Sequence, residues 1–173
     1  MTALDHFLPL DIALLTVSDT RTRDNDSSGD YLDGALRAAG HRVAAREIAR
    51  DDIYRLRAIV SAWIADDGID GVLISGGTGF TGRDSTPEAI RPLLDKEMPG
   101  FGELFRQISV QEIGTASLQS RAFAGLANGT FVFALPGSTS ACRTAWEKIL
   151  QSQLDARTRP CNLVGLKPRL HER

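Results

Sequence analysis

Apolar residues fall along this chain in two rhythms. Asp11–Val17 (DIALLTV) and Asp70–Ile74 are short, nearly continuous apolar runs, the pattern of strands buried on both faces of a sheet. His41–Ile48 alternates through Val43 and Ala45 and reads as a further strand. Between these runs the apolar positions come three and four apart. Tyr31-Leu32, Ala35-Leu36 and Ala38-Ala39 predict a helix stopped by Gly40, with Ser27 or Ser28 as its cap. Ile53, Leu56, Ile59, Val60, Trp63 and Ile64 predict a second helix, capped by Asp51 or Asp52 and ending near Asp67-Gly68.

The second half continues the alternation. Ala89–Lys96 reads as a short helix, Met98-Pro99-Gly100 as a break and Phe101–Val110 as another helix. Arg121–Leu126 and Thr130–Leu135 flank Ala127-Asn128-Gly129, and an Asn-Gly between apolar runs is a hairpin signal. A last helix, from Ser138, carries Ala141, Ala145, Trp146, Ile149 and Leu150. Trp63 and Trp146 sit on apolar helical faces and are expected in the core or at a subunit contact. The fold expected is therefore α/β: a three-layer sandwich with a mostly parallel sheet plus an antiparallel hairpin strand. At 173 residues it is expected to be one domain, 1–173, with a core over 11–156. The polar tail 157–173 reads as an ordered strap or a frayed end.

In such a sheet, ligands bind at the carboxyl ends of the strands. Three polar loops leave strands there: 18–28, 75–86 and 136–138. The middle one is the most informative. Val72-Leu73-Ile74 stops at Ser75-Gly76-Gly77-Thr78-Gly79, Arg83-Asp84 follows, and Ser85-Thr86-Pro87-Glu88 opens a helix. Gly76, Gly77, Gly79 and Gly82 put four glycines into seven residues. A tight turn alone does not need so many; glycines let bare backbone approach a phosphate, and a helix N-terminus adds unpaired N–H donors. Thr86 suits the N-cap and Pro87 the first turn. Asp84 would be repelled by a phosphate and reads as a holder of Mg²⁺ or of a donor group on the ligand. Asp51-Asp52 exceeds what one cap needs, so Asp51 is expected to face the pocket, where two carboxylates could share Mg²⁺. Ser18-Asp19 and Leu135-Pro136-Gly137-Ser138 add further candidate ligand contacts.

Two phosphate motifs are excluded. Gly77–Gly82 matches GxGxxG, but no helix opens within it, so NAD binding is not expected; Gly82 is followed by Arg83-Asp84, not by the Lys-Ser/Thr of a P-loop. The net charge of -2, with scattered Lys and Arg, argues against nucleic acid. No apolar run is long enough to span a bilayer, and no signal peptide is predicted at the N-terminus. Cys142 and Cys161 form no CxxC pair and are expected as reduced thiols in the cytosol. His6, His41 and His171 lie far apart, which argues against a zinc site.

As a set, several motifs are specific. They are Val17-Ser18-Asp19 with Ser28-Gly29, Asp51-Asp52, SGGTGFTGRDSTPEA (75–89), Pro99-Gly100-Phe101-Gly102-Glu103, Leu118-Gln119-Ser120-Arg121 and LPGSTSA (135–141). With them, from Ile12 to about Asn162, the chain resembles the MoaB/MogA family of molybdenum-cofactor biosynthesis proteins, whose domain recurs in MoeA and gephyrin-type proteins. ARTRPCN (156–162) and the short length place it nearer the MoaB branch. The resemblance implies adenylylation: the terminal phosphate of molybdopterin attacks the α-phosphorus of Mg-ATP, and pyrophosphate leaves. It implies that Gly76, Gly77, Thr78 and Gly79 offer N–H groups to a phosphate and that Asp51 and Asp84 are functional acids positioning Mg²⁺. By the same resemblance Ser18, Asp19, Ser75, Thr86, Ser120, Gly137 and Ser138 are assigned to binding the pterin or nucleotide. It also implies a homo-oligomer, a trimer or dimer of trimers, and transfer of product to a molybdate-inserting, MoeA-type enzyme. A molybdopterin-binding or carrier protein without turnover is the alternative.

Overall fold

The computed structural model describes residues 4–170. Its centre is one sheet of six strands: β1 (Asp11–Val17), β2 (Arg42–Ala49), β3 (Gly71–Ser75), β4 (Lys96–Glu97), β5 (Phe123–Ala127) and β6 (Thr130–Leu135), in the order β2-β1-β3-β6-β5-β4. The pairs β1–β2, β1–β3 and β3–β6 are parallel, whereas β5–β6 and β4–β5 are antiparallel. The expected α/β sandwich with an antiparallel hairpin is thus the fold observed.

Strand pleating sorts the core into two layers. Ile12 and Leu14 of β1 point one way, with Leu73, Phe131, Phe133 and Leu135, and pack against α1 (Ser27–Ala38), α4 (Pro99–Ile113) and α5 (Thr139–Ala145). Ala13, Leu15 and Val17 point the other way, with Val72, Ile74 and Val132, against α2 (Ile53–Ile64) and α3 (Thr86–Ile90). Strands β1, β3, β5 and β6 each serve both layers because successive side chains alternate faces. Trp146 lies in the first layer and Trp63 in the second, both buried.

Several local expectations are corrected. Asp26, not Ser27 or Ser28, caps α1: its carboxylate accepts from the Gly29 N–H at 3.1 Å. Asp52 caps α2, accepting from Arg55 N–H at 2.8 Å. The expected helix over 89–96 is instead α3, a 3-10 turn at Arg91–Leu93 and the edge strand β4. Its two residues hydrogen-bond to β5 by non-local pairing, which no local pattern announces. Pro99 opens α4 at the first turn, where its missing N–H costs nothing. The tail is a strap: Lys167 pairs with Asp70, Val164 is buried, and Val164–Arg169 forms a 3-10 turn. His171 lies outside the described residues, as do Met1, Thr2 and Ala3 of the N-terminus read for a signal peptide.

Candidate functional site

At the carboxyl edge of β1, β3 and β6 the three loops meet around a cavity of about 470 Å³, within the usual size of small-molecule sites. The β3 loop forms its closed end. Gly76 and Gly77 have φ of +107° and +66°. A Cβ on Gly76 would lie 2.2 Å from the Val17 carbonyl oxygen, and one on Gly77 would lie 2.3 Å from Thr86 Oγ1. Only glycine fits at either position. The Gly76 N–H donates to the Leu135 carbonyl at 2.9 Å, so this residue shapes the loop and does not offer its N–H to a ligand as expected. Among the described residues, the N–H groups of Gly77 and Thr78 have no such acceptor. The Ser75 and Thr78 hydroxyls are also without partners, although both residues are 1% exposed and line the cavity. Buried polar groups are ordinarily paired, so these point to a ligand.

Thr86 does not cap its helix. Ser85 holds the cap position, and Thr86 Oγ1 donates to the Gly76 carbonyl at 2.8 Å, pinning the loop from behind. Arg121 clamps it from the other side: its Nε donates to Gly79 O at 2.7 Å and a terminal nitrogen to Asp84 O at 2.8 Å, while Glu88 pairs with the same guanidinium. The Asp84 carboxylate accepts from the Thr81 N–H at 2.9 Å and from the Thr81 hydroxyl at 2.6 Å. Burial pushes its carboxyl up, but these Thr81 bonds and the Gly79 amide hold it below the ordinary 3.8. It is therefore ionised, as a metal holder must be.

Of the residues the sequence singled out, Ser18, Ser75, Gly76, Gly77, Thr78, Gly79, Asp84, Ser120, Gly137 and Ser138 line the cavity. Asp19, Asp51 and Thr86 do not. Asp51 stands behind the loop, accepting from the Ser85 N–H at 3.2 Å and from its hydroxyl. Asp19 braces loop against loop: Arg83 Nε donates to it at 3.1 Å, and Asp51 N–H lies 3.4 Å from its other oxygen. The Arg83 guanidinium holds the Asp19 carboxyl below its usual range. Ser138 caps α5, accepting from Ala141 N–H at 3.2 Å.

Sequence reasoning missed the rest of the wall. Arg21 is the cation among the lining residues, held by Ser27 Oγ at 2.9 Å. Beneath it, fully buried Asp26 takes Thr16 Oγ1 at 2.9 Å and Arg46 at 2.8 Å. Burial pushes the Asp26 carboxyl up, and Arg46, Gly29 and Thr16 together hold it below the ordinary value. Phe105, Ser109 and Glu112 come from one face of α4. Their spacing is visible in the sequence, but it reads as ordinary helix amphipathicity.

Among the described residues no group of three or more His, Cys, Asp or Glu is arranged to hold a metal. Likewise, no helix among those residues is long and apolar enough to cross a membrane. Cys142 is buried, and burial pushes its thiol up to about 12, so it offers no thiolate to the site.

Glycine-lined donors around a cavity at the carboxyl edge of a doubly wound sheet define the class: an α/β domain with a polar pocket at its topological switch. The family described as "Probable molybdopterin binding domain" matches residues 13–156. Molybdenum cofactor biosynthesis protein B of Escherichia coli strain K12 is 58% identical over 156 residues, 90% of this chain and 92% of that protein. A crystal structure of molybdenum cofactor biosynthesis protein B superposes with a TM-score of 0.86 at 40% identity, covering 96% of this chain and 98% of the other. The tungsten cofactor synthesizing protein MoaB from Pyrococcus furiosus gives 0.74 at 37% identity, over 83% and 92%. The chain belongs to the molybdopterin-binding domain family, in its MoaB branch.

Proposed function

We propose that the protein acts in molybdenum cofactor biosynthesis, binds molybdopterin in the loop-edge cavity and adenylylates its terminal phosphate with Mg-ATP. An oxygen of that phosphate attacks the α-phosphorus of ATP, the bond from that phosphorus to the bridging oxygen breaks, and pyrophosphate leaves. The observation that carries the reading is the set of unpartnered donors at the closed end: the N–H groups of Gly77 and Thr78 with the hydroxyls of Ser75 and Thr78. Catalysis of this kind is mostly positioning and charge stabilisation. Arg21 and the loop donors would hold phosphate, and Arg121 would keep the loop in place through its bonds to Gly79 and Asp84. Asp84, with Asp51 behind it, would hold Mg²⁺, which offsets phosphate charge when bound. The activated product would pass to a MoeA-type enzyme.

One observation favours the second reading, a molybdopterin-binding carrier without turnover. Asp51 and Asp84 both already accept hydrogen bonds within the loop, from Ser85 and Thr81. A turnover assay with molybdopterin, ATP and Mg²⁺, following pyrophosphate, separates the two. Under the enzyme reading, Asp51→Asn and Asp84→Asn each lower turnover by about 100-fold or more while molybdopterin binding survives, the scale of losing one electrostatic stabiliser. Tight binding with no metal-dependent pyrophosphate in the wild type selects the carrier.

The protein is also proposed to form a homo-oligomer. Val110 and Ile113, three residues apart on α4, stand exposed, and neighbouring apolar side chains of this size are candidates for an interaction surface. Sedimentation velocity showing only monomer at all concentrations would overturn this.

A further inference from the structure

A second cleft, of about 560 Å³, opens between α3, α4 and the chain that enters β5. It shares Ser120 with the first cavity, and its charged lining is three arginines, Arg91, Arg106 and Arg121, against one carboxylate, Glu88. All three guanidiniums are tied to one short stretch of chain. Arg106 reaches from α4 to donate to the Ala122 carbonyl at 3.1 Å and to the Ser120 carbonyl at 3.4 Å. Arg91 lies over the Phe123 ring, 4.8 Å from its centroid. Arg121 belongs to the stretch itself.

Their charges are unequally matched. Arg121 is engaged by Gly79, Asp84 and Glu88. Arg91 gives one terminal nitrogen, Nη1, to both Glu97 oxygens, at 3.2 Å each. Arg106 has no carboxylate partner among the described residues, since both its bonds come from Nη1 and end on carbonyls. In Arg91 and Arg106 alike, the edge formed by Nε and Nη2 therefore has no acceptor among the described residues. That edge presents two parallel N–H groups, the fork that meets two oxygens of one phosphoryl group at once. A single orthophosphate fills one fork, whereas two forks beside a third cation suit an ion with two phosphoryl groups. We propose that the cleft is a second anion site, for an oligophosphate of which inorganic pyrophosphate is the smallest, with Arg106 and Arg91 as its donors and Arg121 adding charge. It is separate from the molybdopterin cavity and stands whether or not that cavity turns substrate over.

The test is isothermal titration of the full chain with sodium pyrophosphate and, separately, sodium phosphate, in metal-free buffer so that no Mg²⁺ bridges the anion to Asp84. In the wild type pyrophosphate should bind about tenfold tighter than phosphate or better, the effect of one further charge-assisted fork. Arg106→Gln should weaken pyrophosphate about tenfold, the scale of hydrogen bonds to a charged group. Arg91→Gln, at a side chain 44% exposed, should weaken it about threefold. Thr78→Val, in the first cavity, should leave it unchanged. If Arg106→Gln fails to fold for want of its two carbonyl bonds, Arg91→Gln decides alone, because Arg91 donates to no backbone group. No pyrophosphate binding, equal affinity for the two ions, or an affinity untouched by the arginine substitutions overturns the inference. An affinity that follows Thr78→Val instead moves the ion to the glycine loop and overturns the second site while leaving the molybdopterin reading standing.

Discussion

The two ends of the central sheet treat their polar groups differently. At the amino ends of β1, β2 and β3 the polar groups serve the fold. His41 Nδ1 accepts from the Leu10 N–H at 3.2 Å, and one Asp70 oxygen accepts from the Asp11 N–H at 2.8 Å while the other takes Lys167 of the tail. At the carboxyl ends, two buried hydroxyls and two backbone N–H groups have no partner among the described residues. Burying a polar group without a hydrogen bond costs about 1–3 kcal/mol. A fold that carries that cost beside a cavity is arranged for something other than its own stability, and at the opposite end His41 and Asp70 of the same domain find protein partners.

If that contrast holds, substitutions at the two ends should fail in opposite ways. The largest effect is expected at the amino end. Asp70→Ala strands the Asp11 N–H and releases Lys167, so unfolding in urea should show a loss of about 1–3 kcal/mol with ligand affinity unchanged. Ser75→Ala and Thr78→Val should do the reverse. Each removes an unpartnered hydroxyl, so stability should hold or rise by up to about 1 kcal/mol, while molybdopterin affinity falls about tenfold. A loss of stability in both, with affinity intact, would place their partners inside the protein and break the comparison.

The smallest effect is in pH. Burial pushes the His41 imidazole below its ordinary 6.5, against the opposing pull of Asp155 and Asp70. The unfolded chain therefore takes up the proton more readily than the fold does. The stabilising contribution is complete above pH 6.5 and is lost as pH falls through the depressed folded value. Thermal unfolding from about pH 8 to about pH 5 should show a downward slope that flattens in His41→Phe. An equal slope in that variant assigns the dependence to other groups.

What the sequence made legible follows the range of the forces involved. The bounds of β1 and the start of α2 can be read from the chain because burial on two faces, or on one helical face, writes its own period there, whereas α2 ends at Ile64, before the expected Asp67-Gly68. The glycine loop is legible for a related reason, since close approach and positive φ demand particular residues in a row. Strand β4 is invisible because Lys96 and Glu97 owe their conformation to β5, about 30 residues away. Asp26 was hidden behind two adjacent serines that are equally good caps by type, yet only its carboxylate also reaches Thr16 and Arg46. Arg21 and Glu112 carry no local signature, because they become neighbours of the glycine loop only when α1, α4 and α5 stack on one face of the sheet. Asp51 shows the converse: its motif is conspicuous in the sequence, but only the fold shows that its carboxylate meets Ser85 and does not line the cavity itself.

Ile113 at the end of α4 belongs to two surfaces at once, lining the cavity while standing 55% exposed one helical turn from Val110. A second copy seated on that ridge would touch the rim against which the ligand rests. Mass action then joins two equilibria usually measured apart. Whatever factor assembly applies to ligand affinity, the ligand applies to assembly. Occupancy of the cavity becomes a function of the concentration of the protein itself, and a dilute assay and a crowded one would report different affinities for the same molecule.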